Sequence, residues 1–409
     1  MHPPRLSAMR FVVGFGIVSA LADIVYEGAR SVYGPFLAAL GASALVVSVV
    51  TGGGEALALV ARLIFGRLAD ARARRWALAI AGYGLTVVAV PLLGIAHAVG
   101  IAVVLILLER LGKAVRSPSK DAMLAQAGTV TGRGWAFAVH EAIDQAGAFA
   151  GPLLIALALA ITGSFSPGFL LLAIPGAAAL VVLFALRRRV PDPSFYEPDV
   201  QPGVSASSPN EIAASRVPLP RSFWVYAAFT GLTTSGFATF GLLSFHLVGL
   251  GTVAVAMIPV IYAVVMATDA VSALIAGRWY DRIGVQGLVI VPIGTALIPW
   301  LGFATTTWLV VAGMLLWGAV LGVQESTLRA AVADLVPDSR RGSAYGIFTA
   351  VFGLAWLAGS AVIGLLYELS TLWAAGFVTV MQVIALVVFI QWRAHLPKGG
   401  ATYTDTASA

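Results

Sequence analysis

Charged side chains recur at helical spacing inside long apolar runs of this sequence. Asp23, Glu27 and Arg30 occupy positions i, i+4 and i+7, which is one face of a helix. A second series shares one face of a later helix, and its members are Glu109, Lys113, Arg116 and Lys120. A charge at the centre of a bilayer costs about 2.5 kcal/mol or more. We therefore expect these side chains to face each other or a wet cavity, with Glu27, Glu109 and Lys113 deepest.

Such residues can do proton chemistry. A carboxylate in a low-dielectric interior favours its protonated form, whereas a neighbouring cation favours the ionised form. A residue held between these influences can bind and release a proton as its neighbours move. The predicted proton-coupling residues are Asp23, Glu27, His140, Glu141 and Asp144. The residues predicted to tune their charge or to contact a substrate are Arg30, Glu109, Lys113 and Arg116.

Two other interpretations of the buried charges stay open. Lys113 and Arg116 could bind an anionic group of a substrate directly, while Glu27 or Asp23 binds an amine. Alternatively, the charges form ion pairs that only hold the helices together. A metal site at His140 and Glu141 is not expected, because the second histidine of a zinc-binding helix is absent.

The composition indicates that lipid is the solvent for most of the chain. The 409 residues are 59% hydrophobic and only 11% charged, and the mean hydropathy is +0.92. Soluble domains carry about 25% charged residues. The sequence contains no cysteine, which excludes disulfides and thiolate metal sites.

Twelve segments are long and apolar enough to span a membrane, which needs about 20 residues each. They are 11–35, 44–68, 77–95, 100–126, 135–160, 166–186, 223–247, 252–277, 286–303, 306–333, 344–366 and 371–392. The first run is too long for the apolar core of a signal peptide, so we interpret it as a spanning helix. The predicted fold class is an all-α membrane protein.

Basic residues alternate between the connections. The loops after odd-numbered segments contain no Lys or Arg, whereas most of the 25 basic residues lie on the other side. The positive-inside rule then places both termini in the cytoplasm. This bias accounts for the net charge of +6, so nucleic-acid binding is not predicted.

The chain is also internally repeated. The sequence Leu63–Asp70 returns, about 210 residues later, as Leu274–Asp281 with five of eight positions identical, and Arg133–Phe137 returns in related form as Arg341–Tyr345. These repeated segments predict two pseudo-symmetric six-helix bundles in parallel orientation. The predicted organisation is an N-terminal bundle at 1–186, a proline-rich cytoplasmic linker at 187–221 and a C-terminal bundle at 222–409.

The segment from Gly66 to Arg75 resembles the signature loop of the major facilitator superfamily, although Ala73 stands where that family usually has glycine. The resemblance implies a rocking-bundle transporter in which helices one and four line the central cavity. It also implies a conformational latch on the cytoplasmic side. The predicted latch residues are Gly66, Asp70, Arg74, Asp121, Gly277 and Asp281.

Gly147, Gly151 and Pro152 resemble part of a glycine-rich helix-five stretch in drug:proton antiporters. We therefore expect a proton-coupled secondary transporter of small molecules in the bacterial cytoplasmic membrane, working as an exporter by proton antiport. Proton-driven uptake of a charged nutrient, such as an organic anion or short peptide, is the main alternative. A receptor or scaffold that does not transport is the alternative of another class. No enzymatic activity, cofactor or metal is predicted, and the expected state is a monomer.

Overall fold

The computed structural model describes residues 6–70, 72–196, 218–337 and 340–394. These residues are predominantly helical, and no β-strand occurs among them. Most of the predicted linker, 197–217, lies outside the described residues, as does the end of the predicted C-terminal tail, 395–409.

The first part of the chain folds into eight α-helices within the described residues. They are α1 (Ala8–Arg30), α2 (Tyr33–Ala39), α3 (Ala44–Ala69), α4 (Arg75–Leu92), α5 (Val99–Thr131), α6 (Arg133–Thr162), α7 (Phe165–Leu171) and α8 (Ala173–Arg189). Short 3-10 turns occur at Arg72–Arg74, Leu93–Ile95 and Pro193–Tyr196.

The second part of the chain continues the helical pattern. Its helices are α9 (Arg221–Ser235), α10 (Phe240–Gly249), α11 (Met257–Ile283), α12 (Ile290–Gly302), α13 (Thr307–Leu335), α14 (Arg341–Leu369) and α15 (Thr371–Ala394). A 3-10 segment, Gly284–Val289, joins α11 to α12.

All twelve predicted segments fall on helices, which confirms the all-α membrane fold. Among the described residues, nine helical stretches are long and apolar enough to cross a membrane, and one of them, Met257–Gly302, covers two predicted segments. The two predicted segments outside these nine stretches are 100–126 and 223–247. The first carries the charge series of α5, and the second is broken between α9 and α10.

The chain divides into two compact units. Unit 1 contains Met1–Ala42, Leu57–Pro202 and Ala254–Ala263, and unit 2 contains Ser43–Ala56, Gly203–Val253 and Val264–Ala409. The first part of α3 therefore packs within unit 2, and a short segment that includes the start of α11 packs within unit 1. The division at 187–221 stays a prediction from the sequence.

Glycines bring the helices of unit 1 into close contact. A side chain on Gly147 of α6 would collide with the backbone of Ala20 on α1, and one on Gly151 would collide with that of Ile24. Gly82 of α4 faces Gly112 of α5 in the same way. Small residues permit such approaches between membrane helices. They hold α1, which carries Asp23 and Glu27, firmly against its neighbours.

Aromatic rings fill much of the interior of unit 2. The rings of Tyr226 and Phe348 are stacked with centroids 6.2 Å apart, and those of Phe237 and Trp317 are stacked at 5.5 Å. The indole of Trp317 donates a hydrogen bond of 2.7 Å to the carbonyl of Ala238, in the break between α9 and α10. This bond satisfies a backbone acceptor that the broken helix leaves open.

Candidate functional site

Tyr26 lies at the centre of a group of cations in unit 1. Its ring is buried, and its hydroxyl accepts a hydrogen bond from Nη1 of Arg110. The Lys113 ammonium lies 3.9 Å from the ring centroid, the Arg110 guanidinium 4.7 Å and the Arg30 guanidinium 5.9 Å. Cations are attracted to the negative face of an aromatic ring, most strongly where water is excluded. Three cationic side chains therefore lie around the ring of Tyr26 in the interior of unit 1.

Glu109 supplies a buried negative charge beside this group. It is 0% exposed, and Arg110, one residue later on α5, is 1% exposed. Oε2 of Glu109 lies 3.4 Å from Nε of Arg110 and accepts a 3.4 Å hydrogen bond from the hydroxyl of Tyr33. A buried ion pair of this kind needs such added hydrogen bonds to offset the loss of hydration.

Glu27 connects α1 to α11. Its Oε1 lies 3.5 Å from Nη1 of Arg30, and its Oε2 accepts a hydrogen bond from the hydroxyl of Tyr262. Tyr262 belongs to the short segment Ala254–Ala263 that packs within unit 1. Glu27 is 7% exposed. The carboxylate therefore joins two segments that are distant in sequence.

Asp23 and Arg116 form a second ion pair, one turn before Glu27 on α1. Nη2 of Arg116 lies 3.5 Å from Oδ1 of Asp23. The same guanidinium donates a 2.9 Å hydrogen bond to the hydroxyl of Thr86 and lies 4.8 Å from the ring of Tyr83. The acidic face of α1 and the basic face of α5 thus meet, and α4 provides the neutral partners.

A hydrogen-bonded chain runs from α6 to α4. Nε2 of His140 lies 2.9 Å from Oγ of Ser19, which lies 3.1 Å from the hydroxyl of Tyr83. His140 and Ser19 are both buried, whereas Glu141 is exposed and accepts a 3.3 Å hydrogen bond from Gln145. Of the three predicted α6 residues, Glu141 is thus the outermost.

Asp144 lies on α6, one turn after His140. It is close enough to Asp23 for the two carboxylates to repel each other, and Lys120, Arg116 and Lys113 interact with it electrostatically. Its Oδ1 is buried and has no hydrogen-bond partner among the described residues. Asp23 and Asp144 therefore both lie within electrostatic reach of the cations Lys113 and Arg116 on α5.

The donor atoms of His140, Glu141 and Asp144 lie within 4.8 Å of one another, a spacing that one divalent ion could bridge. However, Nε2 of His140 is engaged with Ser19, and the positive charge of Lys120 acts on both His140 and Asp144. That charge opposes binding of a cation. The absence of a metal stays a prediction.

Of the predicted latch residues, Asp70 and Arg74 lie in the connection between α3 and α4, Asp121 directly follows Lys120 on α5, and Asp281 lies in the last turn of α11. Asp70, Arg74, Asp121 and Asp281 are exposed. A side chain added at Gly66 or at Gly277 would meet no described atom within 4 Å. Their role as a latch stays a prediction.

Reasoning from the sequence missed the neutral members of the site, which are Ser19, Tyr26, Tyr33, Tyr83, Thr86 and Tyr262. Helical spacing could have found two of them. Ser19 lies four residues before Asp23, and Tyr26 lies four residues before Arg30, so each shares a face with a charged residue. Tyr262 carries no such signal, since its partner lies 235 positions away.

Unit 2 has a neutral side chain at the position that corresponds to Arg116. Gly82 of α4 packs against the backbone of Gly112 on α5 in unit 1, and in unit 2 Gly294 of α12 packs against the side chain of Val320 on α13. Four residues after Gly112 stands Arg116, and four residues after Val320 stands Gln324. Gln324 is 1% exposed. The two repeats have therefore diverged in charge at matching positions.

Comparison with known proteins identifies the family. Residues 13–284 and 250–404 match the Major Facilitator Superfamily. The chain belongs to this superfamily. It is 53% identical over 396 residues to an uncharacterized protein of Mycobacterium tuberculosis, covering 97% of this chain and 95% of the relative. It is 25% identical over 394 residues to an uncharacterized MFS-type transporter of Methanocaldococcus jannaschii, covering 94% and 96%.

Solved structures of this superfamily share the fold. The nucleoside transporter NupG has a TM-score of 0.71 at 13% identity, covering 94% of this chain and 98% of that chain. A POT family transporter in complex with 5-aminolevulinic acid has a TM-score of 0.71 at 14% identity, covering 97% of each chain. The protein is thus a multi-pass membrane protein and a secondary transporter, in a superfamily that is not enzymatic.

Proposed function

We propose that this transporter couples solute movement to protons and that Asp23 and Asp144 form its proton-binding pair. The observations that support the proposal are the ion pair of Asp23 with Arg116 at 3.5 Å and the buried Oδ1 of Asp144, which has no hydrogen-bond partner among the described residues. Two neighbouring carboxylates repel one another, and the repulsion disappears when the pair binds one proton. Oδ1 of Asp144 lacks a described hydrogen-bond donor that would hold it in the ionised form.

Proton binding at this pair would change how three helices are held together. Asp23 lies on α1, Asp144 on α6 and Arg116 on α5. A proton on Asp23 removes the charge that Arg116 faces at 3.5 Å, while the bonds of Arg116 to α4 persist. The contact between α1 and α5 therefore depends on the charge of the pair, as coupling between a proton and a conformational change requires.

The group around Tyr26 is our candidate for solute contact. Arg30, Arg110 and Lys113 present positive charge there, and Glu27 presents negative charge beside it. Such a group suits a zwitterionic or amphiphilic solute. In unit 2, the neutral Gln324 stands at the position that matches Arg116. This difference supports the proposal that the residues that couple transport to protons belong to unit 1.

We propose export by proton antiport as the direction of transport. The resemblance of the loop from Gly66 to Arg75 and of Gly147, Gly151 and Pro152 to exporters supports this direction. Proton-driven uptake is the second candidate, because the cations around Tyr26 suit an organic anion. A solved neighbour in complex with a thioalcohol conjugated peptide also supports it.

Infrared spectroscopy tests the proton site without a known solute. The carboxylic-acid C=O band is compared between acidic and alkaline buffer for the wild type, Asp23→Asn and Asp144→Asn. We expect each variant to lose one titrating component of that band, because each removes one carboxyl group that binds a proton. The control is Asp192→Asn, an exposed carboxylate outside the cluster. Spectra that match the wild type in both site variants would refute the pair.

Proteoliposomes with an internal pH-sensitive dye test the direction. The probes are ethidium, 5-aminolevulinic acid, alanyl-alanine and uridine, each added outside the vesicles at zero initial pH gradient. Solute entry that makes the lumen more alkaline indicates antiport, and entry that acidifies it indicates symport. Entry that leaves the lumen pH unchanged in the wild type would contradict proton coupling.

A further inference from the structure

An apolar groove of about 440 Å³ lies on unit 1 between the start of α1 and the end of α8. Its lining residues are Leu6, Met9, Arg10, Val13, Gly14, Ile17, Val181, Val182, Ala185, Leu186 and Arg189. Only two of them are charged, Arg10 and Arg189. Each of the two helices therefore contributes an apolar stripe that ends in one arginine.

Helical spacing explains this arrangement. On α1, Arg10, Gly14 and Ile17 share one face, and on α8 Ala185 and Arg189 do the same. Gly14 forms part of the floor, because a side chain there would lie 2.6 Å from Cδ2 of Leu186. Both arginines lie at the end of their helices, α1 beginning near Arg10 and α8 ending at Arg189. The groove is thus cationic at one end and apolar along its length.

The rim of the groove is held by a tertiary contact. The hydroxyl of Tyr196, in the 3-10 turn that follows α8, donates a 2.9 Å hydrogen bond to the carbonyl of Leu6. The ring of Tyr196 also packs on Phe11, with centroids 5.7 Å apart. This contact joins the chain before α1 to the chain after α8. It therefore holds together the two segments that flank Arg10 and Arg189.

We propose that this groove binds an anionic phospholipid, with the headgroup phosphate between Arg10 and Arg189 and an acyl chain along the apolar stripes. Guanidinium groups bind phosphate with paired, charge-assisted hydrogen bonds. An acyl chain gains little by leaving the bilayer for an equally apolar groove, so the headgroup charge decides the selectivity. The inference does not depend on proton coupling or on the transported solute.

Native mass spectrometry of the detergent-purified protein, titrated with phosphatidylglycerol or phosphatidylcholine, tests the site. We expect phosphatidylglycerol to bind more tightly, and Arg10→Gln/Arg189→Gln to weaken it about tenfold or more through loss of two charge-assisted contacts. The matched control is Arg187→Gln/Arg188→Gln. It removes the same charge from the same helix end but leaves the groove lining intact.

A second variant tests the apolar part of the groove. Ala185 is exposed, so Ala185→Leu fills the groove without entering the protein core. We expect it to weaken phosphatidylglycerol binding, whereas free glycerol phosphate does not compete at equal concentration. Equal affinity for the two lipids, or an equal loss in the Arg187/Arg188 control, would overturn the proposal. Competition by glycerol phosphate would show an anion site without a lipid groove and would overturn it as well.

Discussion

The hydroxyl of Tyr262 donates a hydrogen bond to Oε2 of Glu27, although the two residues lie 235 positions apart. This bond joins the segment Ala254–Ala263 to α1 within unit 1. The other oxygen of the carboxylate faces Arg30 at 3.5 Å. The carboxylate of Glu27 therefore contacts Arg30 on its own helix and Tyr262 from the other sequence repeat.

Replacing Tyr262 by Phe should loosen this segment. A hydrogen bond to a charged group contributes about 1.5–3 kcal/mol, so we expect amide hydrogen exchange in Ala254–Ala263 to accelerate about tenfold. Hydrogen exchange with mass spectrometry of the purified protein measures this. Tyr345→Phe is the matched control, since its hydroxyl donates to the carbonyl of Arg329 at an exposed site. Exchange at Ala254–Ala263 that is equal in both variants would contradict the prediction.

Substitution of Gly147 by Ala should destabilise unit 1. A methyl group there collides with the backbone of Ala20, which cannot move aside as a flexible side chain would. Overpacking of this kind costs about 1–3 kcal/mol, and thermal unfolding in detergent measures the loss. Gly84→Ala on α4 is the control, because its side chain would meet no described atom within 4 Å. The prediction fails if the two alanine variants unfold at the same temperature.

The buried pair of Glu109 and Arg110 should show strong coupling in a double-mutant cycle. Arg110→Met removes the guanidinium whose Nε lies 3.4 Å from Oε2 of Glu109, and breaking a buried pair costs about 3–5 kcal/mol. Adding Glu109→Gln removes the other charge of the pair and should recover part of that loss. Unfolding free energies of the two single variants and the double variant measure the coupling. If the unfolding free-energy changes of the two single variants simply add up in the double variant, the two charges do not interact.

Glu368 should stabilise the start of α3. Its Oε1 accepts a 2.9 Å hydrogen bond from the amide of Leu45, and its carboxylate also bonds to Ser43. A side-chain cap of this kind contributes about 1 kcal/mol, so Glu368→Ala should accelerate exchange in Ser43–Ala56 about fivefold. Glu325→Ala, which removes another exposed carboxylate of unit 2, is the control. Exchange in Ser43–Ala56 that is no faster in Glu368→Ala than in the control would exclude a cap role.

Much of the architecture could be predicted because hydropathy and helical periodicity are local properties. Each predicted span falls on helices, and the spacing of Asp23 and Glu27 placed them on one face of α1. Helix interruptions escaped prediction. The break after Arg30 is followed by Gly34-Pro35, and the one between Ser235 and Phe240 contains Gly236, but both lie inside segments whose length and hydropathy indicate a single span.

The candidate site was predicted only in its charged part. Asp23 and Arg116 could be expected to meet, since opposite charges in lipid must find partners. The neutral partners Thr86 and Tyr83 were not expected, because a Thr or Tyr in an apolar segment is ordinary in composition.

The amino-acid sequence by itself determined that this protein is a membrane-embedded pair of helical repeats with charges concentrated in the first. Those properties follow from the cost of placing polar groups in lipid, which acts on every residue separately. Only the tertiary structure decided which carboxylate faces which cation, that Tyr262 reaches Glu27, and that Asp23 lies near Asp144. Such pairings depend on how helices distant in the chain rotate and pack, and no local pattern records that.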